Sequence, residues 1–178
     1  MKATLIFVFL FAGLFAVKAQ QYKPVDEKSE IKFTIKNFGL NVSGSFTGLN
    51  GAINFNASNL SASSFNASVD VNTINTGIDL RDNHLKKEDY FNAEKYSTIR
   101  FVSTSITGNQ NGYTVSGNLT IKGTTRAVSF PFTVQNQDDG MLFSGSLSID
   151  RKDFNVGGSS AVLSNNVEIH LKVFAVKS

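Results

Sequence analysis

From Ile31 onward the chain alternates apolar and polar positions with a period of two. Ile31, Phe33 and Ile35 are interleaved with Lys32, Thr34 and Lys36. Successive strand side chains point to opposite faces, which gives such a segment one apolar and one wet face. The pattern returns in Phe65, Ala67, Val69 and Val71, in Val128, Phe130, Phe132 and Val134, and in Val167, Ile169, Leu171 and Val173. Further strands are predicted over 42–46, 52–56, 99–106, 113–121 and 141–150. Between them lie Phe38-Gly39-Leu40-Asn41, Asn50-Gly51, Gly123-Thr124-Thr125 and Asp138-Asp139-Gly140, rich in residues that turn at low cost. Pro131 has no N–H to give a ladder, which predicts an edge or bulged position. Residues 20–29 read as a loose polar arm. About eight or nine short strands at regular spacing indicate an all-β barrel or sandwich. Alternation alone does not separate the two, because the same Phe residues would fill a lumen or pack between sheets.

One block breaks the pattern. From Ile78 to Phe101 the charges concentrate: Asp79, Arg81, Asp82, Lys86, Lys87, Glu88, Asp89, Glu94, Lys95 and Arg100, with His84 among them. Arg81 to Asn92 competes as a helix but is too short and too charged to be a core element. The block is either a structural connection or the rim of a site.

The first residues change the inventory. Met1-Lys2, an apolar run from Leu5 to Val17 and the small-x-small sequence Val17-Lys18-Ala19 predict a secretory signal peptide over residues 1–19. The run is short for a span, which needs about 20 apolar residues, so no stable membrane insertion is expected after cleavage. The domain is then residues 20–178, exported to the periplasm or secreted. Two of the 17 basic residues, Lys2 and Lys18, leave with the leader. No clustered basic face remains for nucleic acid. The chain has no cysteine, which excludes disulfides and thiolate metal ligands. Only two histidines occur, His84 and His170, and no G-x-S-x-G elbow. His170 alternates with Ile169 and Leu171 and points with Glu168 and Lys172 toward solvent. Neither a metal site nor catalysis is expected, although a set built on His84 and Asp82 is the one arrangement to check.

Several motifs stand in a fixed order. Arg81-Asp82-Asn83-His84-Leu85 is followed by Asp89-Tyr90-Phe91-Asn92, Ile99-Arg100-Phe101 and Ser103. Gly117-Asn118-Leu119-Thr120-Ile121-Lys122-Gly123-Thr124-Thr125-Arg126 fits G-x-L-T-[LI]-x-G-x-T-[RK], and Asp150-Arg151-Lys152-Asp153-Phe154 fits R-x-[DE]-F. With Gly39 and Gly44-Ser45-Phe46, these resemble the YceI-like family across nearly all of the chain after the leader. The chain departs from the family pattern at Asn37, where many members carry His, and at Asn155, where Gly is frequent.

The resemblance implies an eight-stranded antiparallel barrel of lipocalin-like shape with one short helical insertion. It also implies periplasmic export, a possible homodimer, and a long amphiphile such as a polyisoprenoid or isoprenoid quinone bound non-covalently in the lumen, with no other cofactor. Phe33, Ile35, Phe46, Phe55, Val69, Phe101, Phe130, Phe132 and Leu147 are then the expected ligand-binding lining. Arg81 and His84 would either meet a polar head group at the mouth or hold the loop; fixing the loop is the favoured role. The alternative function is a non-catalytic structural or stress-response barrel with a filled core.

Overall fold

In the computed structural model the described residues are 20–178; the leader expected over residues 1–19 lies outside them. The strands are β1 (Gln20–Pro24), β2 (Glu30–Asn37), β3 (Leu40–Phe46), β4 (Asn50–Phe55), β5 (Ser64–Asp70), β6 (Thr98–Asn109), β7 (Gly112–Ile121), β8 (Thr124–Gln137), β9 (Gly140–Asp150) and β10 (Leu163–Lys177). Among the described residues one α-helix, α1 (Asp79–Leu85), stands between β5 and β6. Every named ladder is antiparallel, in the order β1-β4-β5-β6-β7-β8-β9-β10, and β10 pairs back onto β1 to close the ring.

Ten segments occupy eight positions around the barrel. Running along β10, Lys177 to Ala175 face β1 and Lys172 to Leu163 face β2, so β1 and β2 are one strand with a jog. β3 and β4 are likewise in line, facing β2 and β1. The two jogs sit side by side, and Asp26 ties them. Its carboxylate accepts the Gly48 amide at 3.0 Å and the Leu49 amide at 2.7 Å. The expected eight-stranded barrel is therefore what forms, with two of its strands interrupted.

The loose arm expected over residues 20–29 is a correction. Gln20–Pro24 is the strand that closes the barrel, with Tyr22 and Pro24 buried. Its hydrogen bonds come from β4 and β10, which no local pattern reveals. Pro131 fits its expected place: it pairs with Thr114 of β7, while the β8–β9 ladder runs only from Phe132 onward.

The two ends of the barrel differ. At the end holding the β6–β7 turn, Tyr22, Phe55, Tyr113, Phe132 and Phe143 are all buried and pack with Phe65 into an aromatic plug. Phe55 meets Tyr113, Phe132 and Phe143 edge-on, with ring centroids 5.2 to 6.3 Å apart. At the opposite end the wall parts. Beyond its pairing with β2, β3 makes only the single bridge from Ser45 to Asn75, and the segment carrying α1 covers the gap. The connection 151–162 between β9 and β10 lies at this same end.

Two motif glycines make room for rings on the inner face. A side-chain carbon on Gly44 would sit 2.4 Å from the Phe33 ring, and one on Gly117 would sit 2.5 Å from the Phe101 ring. Glycine is the residue that lets another group approach the backbone this closely.

Candidate functional site

Between the plug and the parted end lies an apolar cavity of about 550 Å³. It reaches from Phe132 and Phe143 at the floor to Phe38, Arg81, His84 and Val162 at the mouth. Ten of the residues expected at the site line it: Phe33, Ile35, Phe46, Val69, Phe101, Phe130, Phe132, Leu147, Arg81 and His84. Phe55 does not. It belongs to the plug beneath the floor, because its ring is enclosed by Tyr113, Phe132 and Phe143. Period-two alternation places a residue inside the barrel but does not give its height along the axis.

The charged block is both connector and rim. Val71 and Ile74 anchor it in the core. α1 then begins at Asp79, and two carboxylates in its first turn, Asp79 and Asp82, suit the positive end of the helix. After Leu85 the chain folds back, with the Phe91 amide on the Leu85 carbonyl at 3.0 Å and the Ala93 amide on the Lys86 carbonyl at 2.9 Å. The segment from Arg81 to Asn92, which competes as a helix in the sequence, thus completes one short helix and continues as turns, the one short helical insertion expected.

Arg81 serves this segment. Its Nε donates to the Thr76 hydroxyl and its Nη2 to the Thr76 carbonyl, each at 2.7 Å. The Thr76 hydroxyl in turn donates to Asp82, which also accepts the Thr76 amide at 2.9 Å. His84 is exposed at the mouth and lies edge-on to Tyr90, centroids 4.9 Å apart. No hydrogen bond joins His84 to Asp82, whose carboxylate is taken by Thr76. His170 is exposed on the outer wall. Among the described residues no three His, Cys, Asp or Glu side chains gather in a way that could hold a metal ion.

Arg151 has a place in the site that its motif alone does not reveal. Arg151, 4% exposed, borders the cavity with no carboxylate within ion-pair distance among the described residues. Its guanidinium donates to the carbonyls of Ser164 at 2.9 Å, Val156 at 2.8 Å and Gly158 at 3.0 Å, and to Asn165 Oδ1 at 3.3 Å. A buried charge is costly unless it is well hydrogen-bonded, and here backbone oxygens take that role. The arginine of R-x-[DE]-F therefore staples the 151–162 connection to the start of β10. Nearby, the Gly157 amide donates to the Asp89 carbonyl at 2.9 Å, joining this connection to the charged block. Asn155 ends the turn in the left-handed conformation, φ 56° and ψ 33°. Asn tolerates that region better than most residues, which explains how it stands where Gly is frequent. Asn37, the other departure, is half-buried on the cavity wall.

Residues 22–175, spanning every barrel strand, match the family profile described as a YceI-like domain. The chain belongs to the YceI-like family. It is 31% identical to the UPF0312 protein YE1254 of Yersinia enterocolitica over 170 residues, 90% of this chain and 88% of that one. Its barrel is similar to the crystal structure of BcnA from Burkholderia cenocepacia, with a TM-score of 0.82 and 27% identity over 86% of this chain and 99% of that one. A polyisoprenoid binding domain from Saccharophagus degradans has the same fold, with a TM-score of 0.73 at 19% identity over 90% of this chain and all of that one. Among the described residues no helix of this YceI-like chain is long and apolar enough to cross a membrane.

Proposed function

We propose that this YceI-like barrel binds and carries a long-chain amphiphile of the isoprenoid class, with its chain in the cavity and its head at the mouth. The observation that carries this reading is the cavity of about 550 Å³, walled by Phe, Ile, Leu and Val. Water is a poor occupant, since each molecule needs 2–4 polar partners and the inner wall supplies few. Hydrocarbon is a good one, at about 0.8 kcal/mol per buried CH₂. Ligand cavities of this kind run from roughly 300 to 1,000 Å³, mostly apolar with a few polar groups to orient the ligand. The polar groups here are at the mouth. The solved domain described as polyisoprenoid-binding has the same fold and supports the isoprenoid class. The leader expected over residues 1–19 supports export to the periplasm or beyond.

The filled-core alternative expects a lumen packed solid by the Phe residues. The aromatic plug matches that expectation for one end of the barrel only.

The test is cargo. Protein expressed from Gln20 onward is purified, extracted with organic solvent and analysed by mass spectrometry, then offered long-chain prenols and quinones. A co-purifying amphiphile or saturable uptake is expected. A clean extract together with no uptake would sink the proposal.

A further inference from the structure

We propose that the mouth of the barrel docks on the surface of a lipid bilayer, with Phe38, Leu40, Ile78, Leu80 and Val162 as its contact rim. This rests on the lipid-carrier reading above and says where the cargo enters and leaves.

These five are the exposed large apolar residues of the described chain: Phe38 is 75% exposed, Leu40 73%, Ile78 52%, Leu80 84% and Val162 39%. Single exposed apolar residues are ordinary; their distribution here is not. Phe38 and Leu40 flank the β2–β3 turn, Val162 leads into β10, and Ile78 and Leu80 open α1. The antiparallel topology brings all three segments to the parted end, and none of the five falls at the plugged end. The Phe38 amide donates to the Val162 carbonyl at 2.9 Å, which holds two of the segments together. Phe38 and Val162 also line the cavity, making the apolar lining continuous with the outer rim.

A bilayer fits this surface better than a second copy of the chain. A stable protein interface engages about 20–30 residues a side. The rim offers five apolar residues on three separate segments. Short apolar protrusions with polar neighbours suit the headgroup–acyl boundary, where only the tips need burial. Both signs of charge stand beside the rim residues in the chain: Lys36 two positions before Phe38, and Asp79 between Ile78 and Leu80. Docking by apolar contact therefore has no need of anionic lipid and survives salt. With the mouth against the bilayer, a chain passes from lipid to cavity without crossing water.

The chain contains no tryptophan, so an introduced one reports without background. Leu40→Trp and Leu80→Trp probe the rim, and Asn111→Trp, in the β6–β7 turn, probes the plugged end. Leu40, Ile78 and Leu80 do not line the cavity. On adding phosphatidylcholine vesicles, the two rim probes are expected to shift to the blue and to be quenched by brominated lipid, while Asn111→Trp is unchanged. The double variant Leu40→Ser/Leu80→Ser is expected to lower vesicle flotation by about tenfold or more. It should keep wild-type uptake of a fluorescent prenol dispersed without vesicles. Rim probes that ignore vesicles, in protein that still takes up the prenol, would overturn the docking and leave the carrier reading standing. A blue shift that grows with protein concentration in the absence of lipid would assign the rim to a second copy instead. No prenol uptake by the wild-type barrel would overturn both.

Discussion

Arg151 and Arg81 both border the cavity, yet both donate to the chain's own oxygens. For Arg151 the planar fork reaches three carbonyls and one amide oxygen in the 151–162 connection and the start of β10. Lysine offers a point charge on a flexible stem and cannot span that set. Hydrogen bonds from a charged group are worth about 1.5–3 kcal/mol each, and losing most of them is partly offset by relaxation. Arg151→Lys is therefore expected to cost about 2–4 kcal/mol, read as a lower urea midpoint at unchanged slope. A midpoint within error of the wild type would deny the staple. Arg81 is bound twice to Thr76, which favours the loop-holding role over head-group contact. Arg81→Ala should then weaken a prenyl diphosphate and the corresponding prenol by the same factor. Selective loss of the diphosphate would instead put its charge on the ligand. The motifs containing these residues are plain in the sequence, but their work is not, because an arginine bonded to carbonyls leaves no partner residue for a pattern to show.

At the scale of elements, alternation made the inner faces legible and left the heights and ends obscure. Phe55 and Phe101 both follow the inward register, but one belongs to the plug and the other to the cavity wall. Strand β1 is the harder case. Its sequence, Gln20-Gln21-Tyr22-Lys23-Pro24, is short and polar, and its strand character comes from backbone pairing with β4 and β10. The gap beside β3 is invisible for the same reason, since a missing ladder partner changes no residue on the strand. The plug and the wall separate stability from binding. Phe55→Ala removes a ring enclosed by three others, and large-to-small changes of this kind cost about 3–5 kcal/mol. Its effect on chain uptake should be small. Phe101→Ala, on a half-buried wall residue, should cost less stability and loosen the grip on the chain. Denaturation midpoints and prenol titrations on both variants check this, and the reverse ranking would mean that the floor has been placed at the wrong height.

For the molecule as a whole, the cavity makes ligand and fold stability one quantity. Anything that binds only the folded barrel stabilises it, by about 2.7 kcal/mol at a hundredfold excess over Kd. For a domain of this size each kcal/mol raises Tm by about 2–4 °C, which puts the expected gain at about 5–10 °C. The dependence on chain length is more telling than the gain itself. Each added CH₂ buried in the lumen contributes up to about 0.8 kcal/mol, until the space between the mouth and Phe132 is full. Further carbons then lie outside the wall and add nothing. Delipidated protein titrated with prenols of increasing length should show Tm climbing and then levelling off, with the plateau reporting the depth of the cavity. Gly44→Ala should bring the plateau to shorter chains, because the new carbon collides with the Phe33 ring, which lines the cavity and must move. A Tm that ignores chain length would mean that the cavity is not where the lipid sits. A plateau that stays put in the Gly44 variant would mean that Phe33 does not bound it.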